Sequence, residues 1–364
     1  MKKTLFTSLL CLLISTPSFS QEESGGKISG YMFGDYFYNI LRDSTIDNLD
    51  YNALGGQKDV QGFEFRRIYF TYDYKISNQF STRFRLESQT LVGVNNTLFL
   101  TFIKDASLKW NKIFEGSDFI FGIQPNPTFQ VSEDFWNYRS LEETIMDLRG
   151  IAGSRDFGVS LKGRLSSSGS IKYWIMYGNG SVLEIEGDKF KRVYALIELI
   201  PSNEWVFTMY GDYRFKPQKE FSQVEQSFNN DSFTSALLLG YQNNSNFRIG
   251  IEPFLQINYN DQIKSETDVY KIMNRNALGL SFFGWLKFTE SLVGIGRYDY
   301  FDPNISSEYK GDSRNYFLLG LSFILHEKVT ITPNFIMETY EKPVNGVSID
   351  PSLTGRITFY YEFL

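Results

Sequence analysis

NFRIGIEPFLQINYN, residues 246–260, decides the class of this chain. Phe247, Ile249, Ile251, Pro253, Leu255, Ile257 and Tyr259 fall on one side of an extended backbone, and Arg248, Gly250, Glu252, Gln256 and Asn258 fall on the other. Strand side chains alternate between faces, so this segment has one apolar side and one that needs water. In 79–92, Phe80, Phe84 and Leu86 oppose Arg83, Arg85, Glu87 and Gln89. In 204–216, Trp205, Phe207, Met209, Tyr213 and Phe215 oppose Thr208, Tyr210, Asp212, Arg214 and Lys216. An unpaired ion in a dry core is too costly to recur on so many strands, and these faces therefore adjoin water.

Alternation alone fits a soluble sandwich as well as a membrane barrel. Length separates the two, because stretches of roughly 10–14 residues match a tilted bilayer crossing while soluble strands average about 5–6. Composition points the same way: 34 Phe and 23 Tyr coexist with a mean hydropathy of −0.26. A transmembrane barrel turns its rings toward lipid and keeps polar residues inside, which gives that combination. No apolar run approaches the about 18 residues of a spanning helix. Rings near strand ends, Tyr38, Trp110, Trp205, Tyr259, Phe288 and Tyr361, suit interface girdles.

Outward from 246–260 the pattern recurs in 27–42, 63–76, 79–92, 98–110, 117–124, 155–165, 170–178, 190–200, 204–216, 232–242, 271–288, 292–301, 314–326, 329–340 and 351–364. Short links near Ser77, Asn111, Ser167, Ser202, Asn244, Thr289 and Glu327 alternate with longer polar ones near Asp47, Val94, Gly187, Gln223, Asp261, Asn304 and Asn345. This predicts an all-β, antiparallel, up-and-down transmembrane barrel of about 16 strands, with both termini on the short-turn side. No shift in composition marks a second domain, so 21–364 reads as one barrel domain.

The third long link is PNPTFQVSEDFWNYRSLEETIMDLRGIAGSR, residues 125–155. Ser132 can cap a helix with Glu133 and Asp134 behind it; Leu141, Ile145 and Leu148 recur at helical spacing, and Gly150 ends the run. A link of this length is commonly functional, and we read it as a segment folded into the lumen as a constriction. Trp136, Tyr138, Arg139, Glu142, Glu143, Asp147 and Arg149 are the residues able to line it. Exposed rings in water are costly, so Trp136 and Tyr138 are expected against the wall, with Arg139 and Arg149 facing solute.

Met1–Ser20 reads as a secretory signal: Lys2 and Lys3, an apolar middle from Leu5 to Ile14, and small residues at Ser18 and Ser20. Cleavage there removes Cys11, the sole cysteine, and leaves 34 basic against 42 acidic groups. An acidic chain is a poor partner for nucleic acid.

Four stretches carry a family resemblance. FEFRRIYFTYDYKISNQFSTRFRLE (63–87), IKDASLKW (103–110), WNYRSLEE with RDFGVSLKG after it (136–163) and ITPNFIMETY (331–340) are similar to the phosphate-selective porins O and P. The resemblance spans nearly the whole mature chain through short strand motifs. It implies a 16-stranded barrel in the outer membrane of a Gram-negative-type bacterium, a homotrimer, with the third long loop as constriction. It also implies passive, anion-preferring diffusion. Two departures stand out: the chain ends Tyr361-Glu362-Phe363-Leu364 rather than on a terminal Phe, and acids dilute the basic lumen.

With the polar faces inward, the expected pore-lining or selectivity residues are Arg67, Arg83, Arg85, Lys109, Arg139, Arg149, Lys162, Arg164, Arg214, Arg248, Arg297 and Arg356. Acids such as Asp73, Glu87, Asp105, Asp212, Glu252, Asp299 and Glu338 share those faces. Rings of like charge set ion selectivity; the bland alternative is that the charges pair between neighbouring strands and brace the wall. The expected function is a passive channel for small hydrophilic solutes with weak anion preference. A substrate-specific phosphate or oligosaccharide channel competes with it, as does a non-conducting structural or adhesin barrel. No enzyme is expected: His326, the single histidine, sits by a short turn, and a Ser-His mechanism needs that base beside its nucleophile. No phosphate loop or metal-ligand spacing calls for a cofactor. The expected partners are outer-membrane lipid, the solutes and further copies of the chain.

Overall fold

A computed structural model describes residues 25–43, 57–90, 99–180, 187–243, 246–266, 269–307, 310–342 and 348–364. The expected signal, Met1–Ser20, and the links near Asp47, Val94 and Asn345 lie outside the described residues. Strands run in the order β1 (Gly25–Leu41), β2 (Gln61–Lys75), β3 (Phe80–Gln89), β4 (Leu100–Phe114) and β5 (Ser117–Pro125). Two short helices follow, α1 (Gln130–Trp136) and α2 (Ile145–Leu148). Next come β6 (Arg155–Arg164), β7 (Ile171–Gly178), β8 (Arg192–Ser202), β9 (Trp205–Arg214), β10 (Lys219–Phe221) and β11 (Gln226–Phe228). The chain ends with β12 (Ser232–Asn243), β13 (Phe247–Glu266), β14 (Val269–Thr289), β15 (Leu292–Asp302), β16 (Arg314–His326), β17 (Val329–Tyr340) and β18 (Ser352–Glu362).

Each wall strand pairs antiparallel with its sequence neighbour, and β1 pairs with β18 from Tyr31↔Glu362 onward, closing a 16-stranded barrel. Closure satisfies the backbone groups that an open sheet would leave at its edges. β10 and β11 form a separate hairpin within a long link. The first and last described residues, Gly25 and Leu364, lie on the rim of short turns, where Ser77 Oγ accepts the Gln79 and Phe80 N–H groups at 3.1 and 3.2 Å.

The barrel inverts the burial of a soluble protein. On the outer face Leu319 is 67% exposed and Ile249 56%, while Glu87, Asp105 and Asp299 on the inner face are at most 0% exposed. A row of apolar side chains on the outside is stable only against hydrocarbon.

Two bulges break the alternation, and two further features differ from the expected pattern. A bulge opposite Phe33/Gly34 turns both Arg66 and Arg67 inward, and another opposite Arg85/Leu86 does the same for Lys104 and Asp105. Phe254, which the reading of 246–260 left off the polar face, points inward and is 2% exposed. The link expected near Asp261 is instead a paired ribbon: β13 and β14 continue to Glu266↔Val269 past an irregularity at Asn258/Gln262, where Asn260 has φ 48°.

Candidate pore interior

The segment between β5 and β6 enters the barrel from the long-loop rim. The continuous helix expected from Ser132 is two short ones. Asn137 takes a left-handed φ of 63° and Thr144 is extended, which breaks the hydrogen-bond ladder between them. Ser132 lies inside α1 and is buried, and Gly150 ends the second helix with φ 61°. Around α1, Phe129, Ser132, Phe135 and Trp136 are buried, whereas Gln130, Glu133, Asp134 and Asn137 keep access to water. That division is an amphipathic helix seated on one side.

The seat is apolar. Phe129, Ile145, Met146 and Ile151 pack with Trp174, Met176, Tyr194, Leu196, Phe254 and Phe301. Phe135, Trp136 and Leu141 pack with Leu238, Phe283, Ile295, Leu318 and Ile336. These wall residues come from β7–β9 and β12–β17. Trp136 meets Phe283 edge-on at 5.5 Å, and Tyr138 meets Trp285 at 6.4 Å, so both rings take the wall as expected. Gly240 leaves room for Phe135, whose ring would lie 2.6 Å from an added Cβ. Each such fully buried side chain stabilises the seat by about 1.5–3 kcal/mol.

Wall arginines satisfy the segment's backbone. Arg66 and Arg356 donate to the Leu141 carbonyl at 3.0 and 2.9 Å, and Arg66 also reaches the Ser140 carbonyl. Arg297 donates to the Glu143 carbonyl, and Arg248 to those of Asp134 and Phe135 at 3.3 and 3.4 Å. Arg149, expected to face solute, is instead buried beside Glu338 at 3.3 Å, with Phe301 and Tyr316 on either side. The side chains of Arg149, Arg297 and Arg356 are 0%, 1% and 9% exposed. They anchor the segment; they do not line open water. Buried carbonyls left unpaired would be costly, and these guanidiniums remove that cost.

Opposite the seat, β18 and β1–β6 carry a second set of charges, of which Arg67 and Arg85 are partly exposed and Glu87 and Asp105 are buried. A chain of ion pairs crosses from wall to segment: Lys104–Glu87 at 2.8 Å, Glu87–Arg67 at 2.7 Å, Arg67–Glu143 at 2.7 Å and Glu143–Arg139 at 2.5 Å. Arg139 also reaches Glu133 at 3.3 Å and Asp147 at 3.7 Å. Burial, with the Glu143 carboxylate added to it, pushes the Asp147 pKa up to about 7. Burial opposes ionisation of Glu143 too, but Arg139 and Arg67 outweigh it and hold its pKa below the ordinary value. Arg85 bonds Thr71 Oγ1 at 2.8 Å and lies 3.7 Å from Asp105. Lys104 and Arg66 escaped the sequence reading because each stands one residue out of phase, at a bulge.

Toward the short-turn rim the interior opens into a cavity of about 650 Å³ lined by Lys27, Asp73, Lys75, Arg83, Lys109, Lys162 and Trp174. A second, of about 610 Å³, adjoins it at Lys162 and Trp174 and carries Arg164, Lys172, Asp134 and Glu198. Arg83 pairs with Asp73 at 2.7 Å and Lys109 with Asp118 at 2.6 Å. Lys162 Nζ lies 4.1 Å from the Trp174 ring centroid. Among the described residues Lys27, Lys75, Lys162 and Arg164 form no ion pair, so the vestibule is net basic. Arg214 stands apart near the long-loop rim, in register with Arg192. His326 closes the β16–β17 turn, its Nδ1 accepting the Lys328 N–H at 3.2 Å. Among the described residues no group of three His, Cys, Asp or Glu is placed to hold a metal ion.

No family model matches the sequence, and no curated protein does. Solved structures match the fold. The outer membrane channel DcaP of Acinetobacter baumannii superposes with a TM-score of 0.66 at 11% identity, covering 94% of this chain and 99% of that one. An anion-selective porin from Comamonas acidovorans gives 0.62 at 10%, covering 94% and 100%. OmpT of Vibrio cholerae in a trimer form gives 0.61 at 10%, again covering 94% and 100%. At such identities the likeness establishes the fold: this chain has the closed barrel of outer-membrane porins. The likeness does not single out the O and P family.

Proposed function

We propose that this protein is an outer-membrane diffusion channel, secreted through its amino-terminal signal and assembled as a homotrimer, that passes small hydrophilic solutes with a weak preference for anions. The observation that carries the reading is the one-sided seat of the inserted segment. Its apolar face closes one half of the lumen, and its polar face, carrying Arg139 and Glu143, meets Arg67 on the opposite wall with Arg85 beside it, above a vestibule holding Arg83, Lys109, Lys162 and Arg164. Charge in a narrow, low-dielectric passage concentrates counter-ions, and the vestibule residues without acidic partners set its sign as positive. The fold shared with an anion-selective porin supports this, and so does the trimer form of OmpT. The strand motifs resemble those of the phosphate-selective porins O and P, and the acids of the lumen support a general pore.

A plugged, non-conducting barrel is the competing reading, favoured by the two dry clusters that bind the segment. Planar-bilayer recording in a potassium chloride gradient separates them. Discrete openings with a reversal potential on the chloride side are expected. Absence of openings overturns the channel, and a potassium-side reversal overturns its anion preference.

A further inference from the structure

Three tyrosines meet on the inner wall where β18, β1 and β2 adjoin. The Tyr31 ring lies 4.7 Å from Tyr69 and 5.9 Å from Tyr360, tilted 31° and 40° to them. Tyr31 stands opposite Tyr69 in register, and Tyr360 opposite Phe33, so all three share the lumenal phase of Arg67 and Asp73. Along β2 the row falls between Arg67 of the constricting network and Asp73 of the vestibule. A solute passing from one to the other crosses it.

On the lumenal wall Trp174, Tyr194, Phe254, Phe283 and Phe301 are covered by the inserted segment. Tyr31 and Tyr360 are not: both are half-buried, and neither belongs to the clusters that seat it. Tyr69 is 6% exposed, beneath the Arg85 guanidinium at 5.6 Å. Arg85, Glu133, Arg139 and Arg155 all lie within electrostatic reach of the Tyr31 hydroxyl, and Tyr360 Oη donates to Glu362 at 3.0 Å. Apolar ring surface kept wet costs free energy unless something covers it. Aromatic pairs across neighbouring strands do stabilise a sheet. Here a guanidinium, Arg85, lies over one ring and a carboxylate, Glu362, accepts from another, so hydrogen-bonding groups border the apolar surface.

The combination complements a pyranose. The C–H face of the sugar covers an aromatic ring, while its hydroxyls give hydrogen bonds to carboxylates and take them from guanidiniums. An inorganic anion would use the guanidiniums and leave the rings bare. We infer that Tyr360, Tyr31 and Tyr69 form a stacking track for saccharide rings between vestibule and constriction. The inference rests on the channel reading above and assigns that channel a substrate class.

The test is single-channel recording of the full-length barrel with a linear glucan hexasaccharide, using sorbitol as a polyol that lacks a ring. Saturable block by the glucan and none by sorbitol is expected. Tyr31→Ala and Tyr360→Ala should each raise the half-blocking concentration about five- to tenfold, while Tyr31→Phe stays within about twofold. Retained heat-resistant mobility on electrophoresis shows that the variants are folded. Openings without saturable block, or block unchanged in both Ala variants, overturn the track and leave the channel standing. If no openings occur the channel reading fails, and calorimetric titration of the detergent-solubilised barrel with the same glucan decides the track. Binding that Tyr31→Ala weakens upholds it, and no binding overturns it.

Discussion

Arg67 Nη2 lies 2.7 Å from Glu143 Oε1, joining the charged wall at β2 to the segment that narrows the lumen. The same guanidinium holds Glu87 at 2.7 Å, and both partners of the Arg67–Glu143 pair are 20% exposed. Each partner has a second ion, Glu87 for Arg67 and Arg139 for Glu143, so the loss of this one contact strands neither charge. The pair's larger effect is on the field met by a passing ion.

Glu143→Gln removes one negative charge facing the passage and leaves Arg67 paired with Glu87. The reversal potential in a salt gradient should move further toward the anion, and Arg67→Gln should move it the other way. Glu143→Gln should cost little stability, because Arg67 keeps Glu87 and Arg139 keeps Glu133, whereas Arg67→Gln leaves the buried Glu87 with Lys104 alone and should cost more.

Arg66→Met withdraws the partner of Asp35, whose side chain is 0% exposed at 2.5 Å from Arg66 Nε, and strips the Ser140 and Leu141 carbonyls of a donor. Breaking a buried pair from one side costs about 3–5 kcal/mol. The barrel wall should still assemble, because its ladder does not involve this side chain. The inserted segment should loosen, seen as faster cleavage within 125–155 under limited proteolysis.

Gly240→Val places a Cβ 2.6 Å from the Phe135 ring, which is itself buried against Phe283. Overpacking of this kind costs about 1–3 kcal/mol and should lift α1 from its seat. Open-channel noise should rise. Gly187→Val, where nothing lies within 4 Å of the added atom, should leave the noise unchanged.

Asp147 titrates about 7, above the about 3.9 of a free aspartate. The folded chain therefore holds a proton that the unfolded chain has already released, and the stability this confers is full below about 4 and lost as pH rises through about 7. The same ionisation adds negative charge 3.7 Å from Arg139. Anion preference should weaken as pH rises through about 7, and Asp147→Asn should abolish that step.

The wall was legible because period-two alternation with one apolar face is a strong signal, and strands such as β13 and β3 appear with the expected phase. The bulges at Arg66 and Lys104 were not, since an extra residue flips one side chain without changing composition. Nor does alternation tell which inward residues meet water: on β12–β17 Leu238, Ile295, Leu318 and Ile336 face inward and are dry because the segment covers them. The apolar run YFLLGLSFIL at 316–325 carried that information, as a strand covered on both faces loses its alternation. Arg149 was misplaced for the same reason, its partner Glu338 being remote in sequence. The tyrosine row could not be seen either, because Tyr360 and Tyr31 meet only through closure of the barrel.

The one-sided seat of α1 is tested most directly at two adjacent residues, Ser132 and Glu133. Ser132 is 4% exposed on the apolar face, and the Glu133 side chain is 25% exposed toward the passage. In a Cys11→Ser background, Ser132→Cys and Glu133→Cys are each recorded in a planar bilayer before and after a charged, membrane-impermeant thiol reagent. A stepwise fall in current at position 133 and none at 132 is expected. Reaction at 132, or an unchanged current at 133, would contradict a segment that turns its polar face to the pore.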